Sequence, residues 1–545
     1  MKKNIKIFDS DALKNIHGRV FLSITVFIVF FLLVFIQIFN VMIIQNYFSI
    51  EKKISNNHEK NKIDKGNIFD RNGVLLASTI LNYSLYVKPD KIKDIKGLTK
   101  KLSKILNLPS QDLSKKLSSK RRIRIKNNIS PKQHKEIINL GEIALITEVE
   151  KKRIYPLGEI TSHIVGFTDL DGNGLTGIEK GLEDELNLGK DIYLSIDFRI
   201  QNVVRNELIK SIEKFSAQSA ISLVMDIQTG EIISLVNYPD FDPNIHDIKM
   251  SKYEFNSATQ GLYEMGSTFK PLTIAMGLEK NIINDNMKFD VSKPIKIGKY
   301  QIQDFEPYEG EISIKDVIVM SSNIGAAKIA LLIGKDNQRN FFDKLGFFDK
   351  IDLEIKETIK PKEPINWKNT EIMTMGYGYG IAISPLHLCQ AYASIINGNS
   401  IKPTLIKNKK TSLKKFYKKT TSNRIKNLLR SVIIENEITG KLSNIPGYEL
   451  AGKTGTAEYF PGSDKNRASF IGVFPISQPK YLVFAIVNDP KGIKETYYYN
   501  TGGWVAAPLV KNIIENIIKI FSLPPTSSED LLKAKKHSFK QNEII

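Results

Sequence analysis

Three short strings carry hydroxyl and amine groups at spacings that chemistry can use: Ser267-Thr268-Phe269-Lys270, Ser321-Ser322-Asn323 and Lys453-Thr454-Gly455-Thr456. A serine hydroxyl is a poor nucleophile until a neighbouring base takes its proton, and an amine can do so once desolvation or a nearby cation lowers its pKa. If a helix follows Gly266, Lys270 projects one turn above Ser267 on the same face, with Pro271 near the end that tolerates proline. Ser267 is then the expected nucleophile and Lys270 the general base. Ser321 is expected to pass a proton between Lys270 and the leaving group, and Asn323 to bond a substrate amide. Lys453 supplies a second positive charge and a partner for a substrate carboxylate. Thr454, Gly455 and Thr456 read as an edge strand on which an extended substrate docks, offering backbone N–H groups. The amides of Ser267 and Thr456 are the candidate oxyanion hole. The chemistry is acyl transfer through a serine ester, which calls for no metal and no cofactor.

Order and flanks give these strings their specificity. Serine followed three places later by lysine also occurs at Ser49, Ser211, Ser412 and Ser477, and Ser55-Asn56-Asn57 repeats the second pattern. Competing patterns fail on context. Gly447-Tyr-Glu-Leu-Ala-Gly452-Lys453-Thr454 has the letters of a phosphate-binding loop, but Gly455, Pro461 and Gly462 follow it, where a helix should open. Asp169, Asp171, Asn173 and Gly174 begin like a calcium loop, yet Lys180 stands where the bidentate carboxylate belongs. Gly172-Asn-Gly174-Leu-Thr-Gly177 matches the dinucleotide fingerprint without the strand, helix, strand unit, and reads as a turn capping a helix over 178–188. Glu363-Pro-Ile-Asn366 resembles a deacylating loop one residue short, and reads as a surface turn.

The elements around these strings set their positions. Residues 221–227 and 231–237 predict a β-hairpin, and 468–474 with 481–488 a second strand pair. Helical patterns over 269–280, 314–332, 386–397 and 507–521 lie between or after them. Strands at both ends with helices in the middle imply an α+β domain whose N- and C-terminal strands pair side by side. Upstream, Asn72-Gly73 predicts a tight turn between two short strands. Residues 91–140 show Lys and Leu at helical spacing, with Pro109 and Pro131 as breaks.

At 545 residues the chain exceeds one core, so two or more domains are expected. The formal charge of +20 is spread as lysine through an Ile-, Asn- and Lys-rich sequence, with no arginine stripe interleaved with aromatics, and reads as compositional bias rather than a nucleic-acid surface. The single cysteine, Cys389, has no intrachain partner, and the seven histidines lack metal-ligand spacing. Residues 20–36 are an apolar run relieved only by Ser23 and Thr25, continuing past Gln37 and Asn40 to 44. That length predicts one membrane-spanning helix. Lys2, Lys3, Lys6, Lys14 and Arg19 precede it, which holds the N-terminus in the cytoplasm and sends the rest outside. A polar stalk over 46–65 follows.

With its flanks, the chain resembles a class B penicillin-binding protein, most of all the septal (cell-division) peptidoglycan transpeptidase. The matching strings are Gly66-Asn-Ile-Phe-Asp-Arg-Asn-Gly73, Arg153-Ile-Tyr-Pro-Leu-Gly158, His163-Ile-Val-Gly-Phe167, Gly174-Leu-Thr-Gly-Ile-Glu179, Gly266-Ser-Thr-Phe-Lys-Pro271, Gly378-Tyr-Gly380, Ala451-Gly-Lys-Thr-Gly-Thr-Ala457 and Gly502-Gly-Trp-Val-Ala-Ala-Pro508. Met265 and Asn399 depart from the family's frequent proline and glycine. The resemblance implies a cytoplasmic tail at 1–19, an anchor at 20–44, an irregular pedestal (dimerisation-type) domain at 45–205, a penicillin-binding transpeptidase domain at 206–522 with a central antiparallel sheet flanked by helices, and a polar tail at 523–545. It implies that Ser267 attacks the penultimate D-alanine carbonyl of a stem peptide and that an acceptor amine resolves the ester. β-Lactams would trap the same serine. Also implied are an inner-membrane location with the catalytic domain in the periplasm, a membrane glycan polymerase and other division proteins as partners. The alternatives are the elongation transpeptidase of the same class, a β-lactamase or β-lactam sensor, and a non-catalytic envelope scaffold.

Overall fold

The computed structural model describes residues 10–39, 64–119, 121–245, 252–298, 300–410, 414–459 and 462–526. Of the expected stalk only 64 and 65, and of the expected tail only 523–526, fall among them; the rest of both lies outside the described residues. The chain divides into two compact units, Met1–Asp64 and Lys65–Ile545.

Among the described residues the first unit shows the helix Ser10–Phe39, of 30 residues. At about 1.5 Å per residue it is about 45 Å long. Thr25 turns its hydroxyl back onto the Phe21 carbonyl at 2.8 Å, which satisfies a polar group within an apolar stretch. From 24 to 38 every side chain is exposed, all round the helix. Among the described residues no helix is long and apolar enough to cross a membrane.

In the second unit, the long strand Leu75–Val87 is the spine of the pedestal. It pairs antiparallel with Leu145–Ile154 on one side and, through Tyr83 to Val87, with Ile123–Ile129 on the other. The expected Asn72-Gly73 turn is present, with Gly73 at φ 87° and Ile68 opposite Ala77. Asp70 fixes it by accepting the amides of Asn72 (2.7 Å) and Val74 (2.8 Å), and reaches the Phe198 amide (3.1 Å) at the start of the helix Phe198–Phe215.

Residues 91–140 are mixed helix and strand. Helices run Ile95–Leu106, Ser110–Leu117 and Pro131–Asn139, but Ile123–Ile129 is a strand with Ile125 and Ile129 buried. Pro109 falls at the expected break between the first two helices and Pro131 opens the third, since proline suits a first turn whose N–H has no partner. The segment 178–188 is two short helices, Gly177–Gly181 and Glu183–Asn187. The Asp169 carboxylate is spent on its own turn, accepting the amides of Asp171 (2.9 Å) and Asn173 (2.8 Å).

The C-terminal part of this unit is built on a five-stranded antiparallel sheet. Its order is Ala451–Glu458, Asn466–Phe474, Tyr481–Asn488, Ser219–Asp226, Ile232–Tyr238. The N- and C-terminal strands pair as expected, Tyr481 opposite Asp226 through Asn488 opposite Ser219. Period-2 alternation sends Ile221, Leu223 and Met225 to one face, and Ala220 and Val224 to the other. Helices Pro385–Asn397 and Lys419–Glu435 pack on the first face, and helix Lys270–Glu279 packs against both of them in the same core. Helices Phe198–Phe215 and Ala506–Ile520 cover the second with Val204, Leu208, Ile513 and Ile517. Each such leucine or isoleucine contributes about 1.5–3 kcal/mol by leaving water. The site is thus held by a sheet packed on both sides.

Candidate active site

Gly266 makes the turn that presents Ser267. Its φ is 54°, and a Cβ there would meet the Thr456 carbonyl oxygen at 2.9 Å. Gly266–Phe269 is a single tight turn leading into the helix Lys270–Glu279, so Ser267 stands just ahead of that helix rather than within it. Thr268 pins the turn by donating to the Met265 carbonyl (2.7 Å), and Tyr392, from helix Pro385–Asn397, donates to the Thr268 carbonyl (2.6 Å).

The expected helix over 314–332 is two helices, Ile314–Val319 and Asn323–Lys344. The break between them is functional in form: Ser321 takes a left-handed φ of 62°, and Ser322 caps the second helix by accepting the Gly325 amide (2.9 Å). Ser321 therefore sits at a corner, with both its carbonyl and its hydroxyl turned toward Lys270.

Lys270 is fully buried, and its Nζ lies 2.8 Å from Ser267 Oγ, 2.5 Å from the Ser321 carbonyl oxygen, 3.0 Å from Ser321 Oγ and 2.8 Å from Asn323 Oδ1. Burial pushes its pKa well below the ordinary lysine value, and the charge of Lys453 pushes the same way; Asp304 opposes them. The carbonyl and amide oxygens can only accept. Two N–H bonds of a neutral amine satisfy them, and its lone pair is left for the Ser267 proton. Lys453, also buried, has its pKa brought down to about 7 by burial. Its Nζ donates to Ser321 Oγ (3.0 Å) and to the Thr454 carbonyl (3.2 Å). One hydroxyl thus bridges two amines.

Lys453 to Thr456 lie on the strand Ala451–Glu458, at the open end of the sheet. A phosphate loop would open a helix here, so the strand removes that reading. A Cβ at Gly455 would stand 2.5 Å from Ser469 Oγ, 2.9 Å from Thr268 Cγ2 and 3.0 Å from the Met265 carbonyl oxygen. Bare glycine lets the strand close onto the turn carrying Ser267. The Ser267 and Thr456 amides come from these two touching segments. All eight expected site residues, Ser267, Lys270, Ser321, Asn323, Lys453, Thr454, Gly455 and Thr456, lie together where the turn, the corner and the strand meet.

A model of the penicillin-binding protein transpeptidase domain matches residues 220–515, and one of the penicillin-binding protein dimerisation domain matches 61–193. The chain belongs to the penicillin-binding protein transpeptidase family. It is 32% identical over 474 residues to the probable peptidoglycan D,D-transpeptidase FtsI of Caulobacter vibrioides, covering 83% of this chain and 80% of that one. It is 26% identical over 522 residues to the peptidoglycan D,D-transpeptidase FtsI of Escherichia coli K12, covering 88% and 87%. A crystal structure of a peptidoglycan synthetase from Bifidobacterium adolescentis shares the fold at a TM-score of 0.68 and 20% identity, covering 86% of this chain and 97% of that one.

Two residues of this penicillin-binding protein's site escape a motif reading. Asp304 accepts the amides of Asn323 (2.5 Å) and Ile324 (3.0 Å) and the Ser322 hydroxyl (2.7 Å), so one carboxylate holds Ser322 and Asn323 at the helix start. It lies 17 positions before Ser321 in a segment without a pattern, and no sequence signal marks it. Tyr392 likewise reads as one more apolar position of its helix. Glu363 pairs with Arg339 at 2.5 Å on the surface, in keeping with a surface turn. Farther off, the pedestal strings Arg153 and Glu179 meet as a buried ion pair (2.6 Å), and Lys65 lies 3.0 Å from the other carboxylate oxygen without the alignment of a hydrogen bond.

Proposed function

We propose that this chain is a serine D,D-transpeptidase that cross-links peptidoglycan stem peptides during septal wall synthesis. The observation that carries the reading is the Lys270 amine, buried, depressed in pKa and 2.8 Å from Ser267 Oγ while two fixed acceptors hold its N–H groups. In the first step Lys270 takes the Ser267 proton and Oγ attacks the penultimate D-alanine carbonyl. The oxyanion is met by the Ser267 and Thr456 amides. Collapse breaks the peptide bond, and the departing D-alanine amine receives the proton from Lys270 through Ser321 Oγ. Asn323 bonds the donor amide, and Lys453 as an ammonium meets the donor carboxylate. An acceptor amine then attacks the ester, gives its proton to the same base, and Ser267 leaves with a proton restored.

The stem peptide lies on the strand edge at Thr454 to Thr456 as an added strand. The helix Ser10–Phe39 anchors the chain in the inner membrane, with residues 1–19 in the cytoplasm and the transpeptidase domain (206–522) in the periplasm on its pedestal (45–205). The apolar run over 20–36 and the basic residues before it support this reading, and lipid would cover the apolar side chains exposed along the helix. A membrane glycan polymerase supplies the strands to be joined. β-Lactams acylate the same serine. Fluorescent penicillin is expected to label wild type and not Ser267→Ala; an unlabelled wild type overturns the reading. Depletion in cells separates the septal role: filaments with blocked septa support it, and rounded cells refute it.

A further inference from the structure

Residues 489–504 form a loop beside the docking strand whose display runs against ordinary burial. Tyr497 and Tyr498 are each 74% exposed and Tyr499 is 47% exposed, three aromatic rings in a row facing water. Trp504, half-buried, ties two of them into one surface: its ring lies parallel to Tyr499 at 6.1 Å and edge-on to Tyr497 at 5.7 Å. Contiguous exposed apolar surface of this kind marks a contact site.

The backbone that presents these rings is built and strained. Tyr497 (φ 50°) and Tyr498 (φ 64°) are consecutive bulky residues in the left-handed region, a conformation that persists only where surroundings enforce it. Buried Thr496 enforces it, its hydroxyl donating to the Tyr499 carbonyl (2.7 Å) and accepting the Ile493 amide (3.3 Å). The Tyr498 amide returns to the Ile493 carbonyl (2.9 Å), and Gly492 packs so closely that a Cβ would stand 2.0 Å from the Tyr498 carbonyl oxygen. Side chains this exposed gain no core packing in return.

The loop is pinned once to the docking strand and once to the strand Asn466–Phe474 paired with it. Gly502 donates to Thr456 Oγ1 (3.0 Å) and packs on Gly455, where a Cβ would meet the carbonyl oxygen at 2.4 Å. Asn500 accepts from Asn466 Nδ2 (3.1 Å), and Asn466 pairs with Glu458 at the far end of that strand. With the donor carboxylate at Lys453, an extended stem of about five residues spans about 17 Å, the length of strand from Lys453 to Glu458. The sugar-bearing end of the stem therefore emerges beside this loop.

We propose that Tyr497, Tyr499 and Trp504 form a saccharide subsite that stacks against the glycan chain carrying the donor stem peptide. A hexopyranose offers flat C–H faces to the rings and hydroxyls to the tyrosine O–H and indole N–H groups, and it is uncharged, as the rings are. The subsite rests on the transpeptidase reading, because that reading brings a sugar to this place.

The test uses full-length chain in detergent, wild type against Tyr497→Ser/Tyr499→Ser. Two donors are compared: glycan chains bearing stem peptides, and the free stem peptide. Acylation by 6-aminopenicillanic acid, which has neither sugar nor side chain, is followed by intact mass to report folding. The expected result is a fall of about tenfold in kcat/KM on the glycan-linked donor, with the free peptide and the acylation rate within twofold of wild type. Peptide-free glycan chains should perturb the indole fluorescence of wild type and not of the variant. An equal fall on both donors overturns the proposal in favour of a peptide contact, and no fall on the glycan-linked donor overturns it outright. A wild type that is not acylated and turns over neither donor removes the transpeptidase reading and the subsite with it.

Discussion

Replacing Ser321 by alanine removes one oxygen and separates two amines that share it. Both Lys270 and Lys453 lie 3.0 Å from that hydroxyl, so the change deletes the one group through which a proton can pass from Lys270 toward the leaving amine. Positioned proton transfer is worth about 10²–10⁴ in rate. The cost in stability is smaller. Lys270 keeps the Ser321 carbonyl, Asn323 Oδ1 and Ser267 Oγ, and Lys453 keeps the Thr454 carbonyl, so the loss is on the order of 1–2 kcal/mol for imperfectly satisfied buried groups. The measurement is acyl-enzyme formation by benzylpenicillin, read by intact mass at a series of times, alongside a denaturation curve. Acylation should fall at least about a hundredfold in a protein that still unfolds cooperatively. A variant acylated within threefold of wild type would refute the relay and leave Lys270 to act alone.

Ser267→Ala should abolish acylation and hold its fold, because the serine is only half-buried and Lys270 retains its other acceptors; a labelled variant would place the nucleophile elsewhere. Asp304→Asn should shift the rising limb of the acylation pH profile to lower pH, since Asp304 raises the Lys270 pKa, and should cost about 1 kcal/mol through weaker capping of Asn323–Lys344; an unmoved profile speaks against the electrostatic link. Lys453, near 7 folded and 10.5 otherwise, binds fewer protons folded than unfolded between those values, so stability should rise with pH across that window. Lys453→Met should flatten the slope in a denaturant series from pH 7 to 10, and an unchanged slope would contradict the depressed pKa. Arg153→Met leaves Glu179 buried beside Lys65 alone and should destabilise by about 3–5 kcal/mol, read from a denaturation midpoint; a loss under 1 kcal/mol would show that Lys65 suffices.

The hairpin and sheet strands were legible because period-2 alternation and a turn at Thr229-Gly230 are local signals, and the sheet buries both faces of Ser219–Asp226. The three catalytic strings were legible because an amine one turn from a hydroxyl is also a local arrangement. What escaped was long-range or conformational. Ile123–Ile129 reads as helix until its neighbour Leu75–Val87 is present to pair with it. The break at Ser321 depends on a left-handed residue that no composition announces, and Asp304 matters only because a short strand, Tyr300–Ile302, delivers it to a helix start.

The left-handed corner at Ser321 also restricts which hydroxyl can stand there. Threonine carries the same donor and acceptor, but its branched β-carbon is crowded by the backbone at positive φ. Glycine would ease the corner and forfeit the oxygen. Of the aliphatic alcohols only serine meets both demands, so residue 321 has little freedom to vary while the hydroxyl between the two amines is kept.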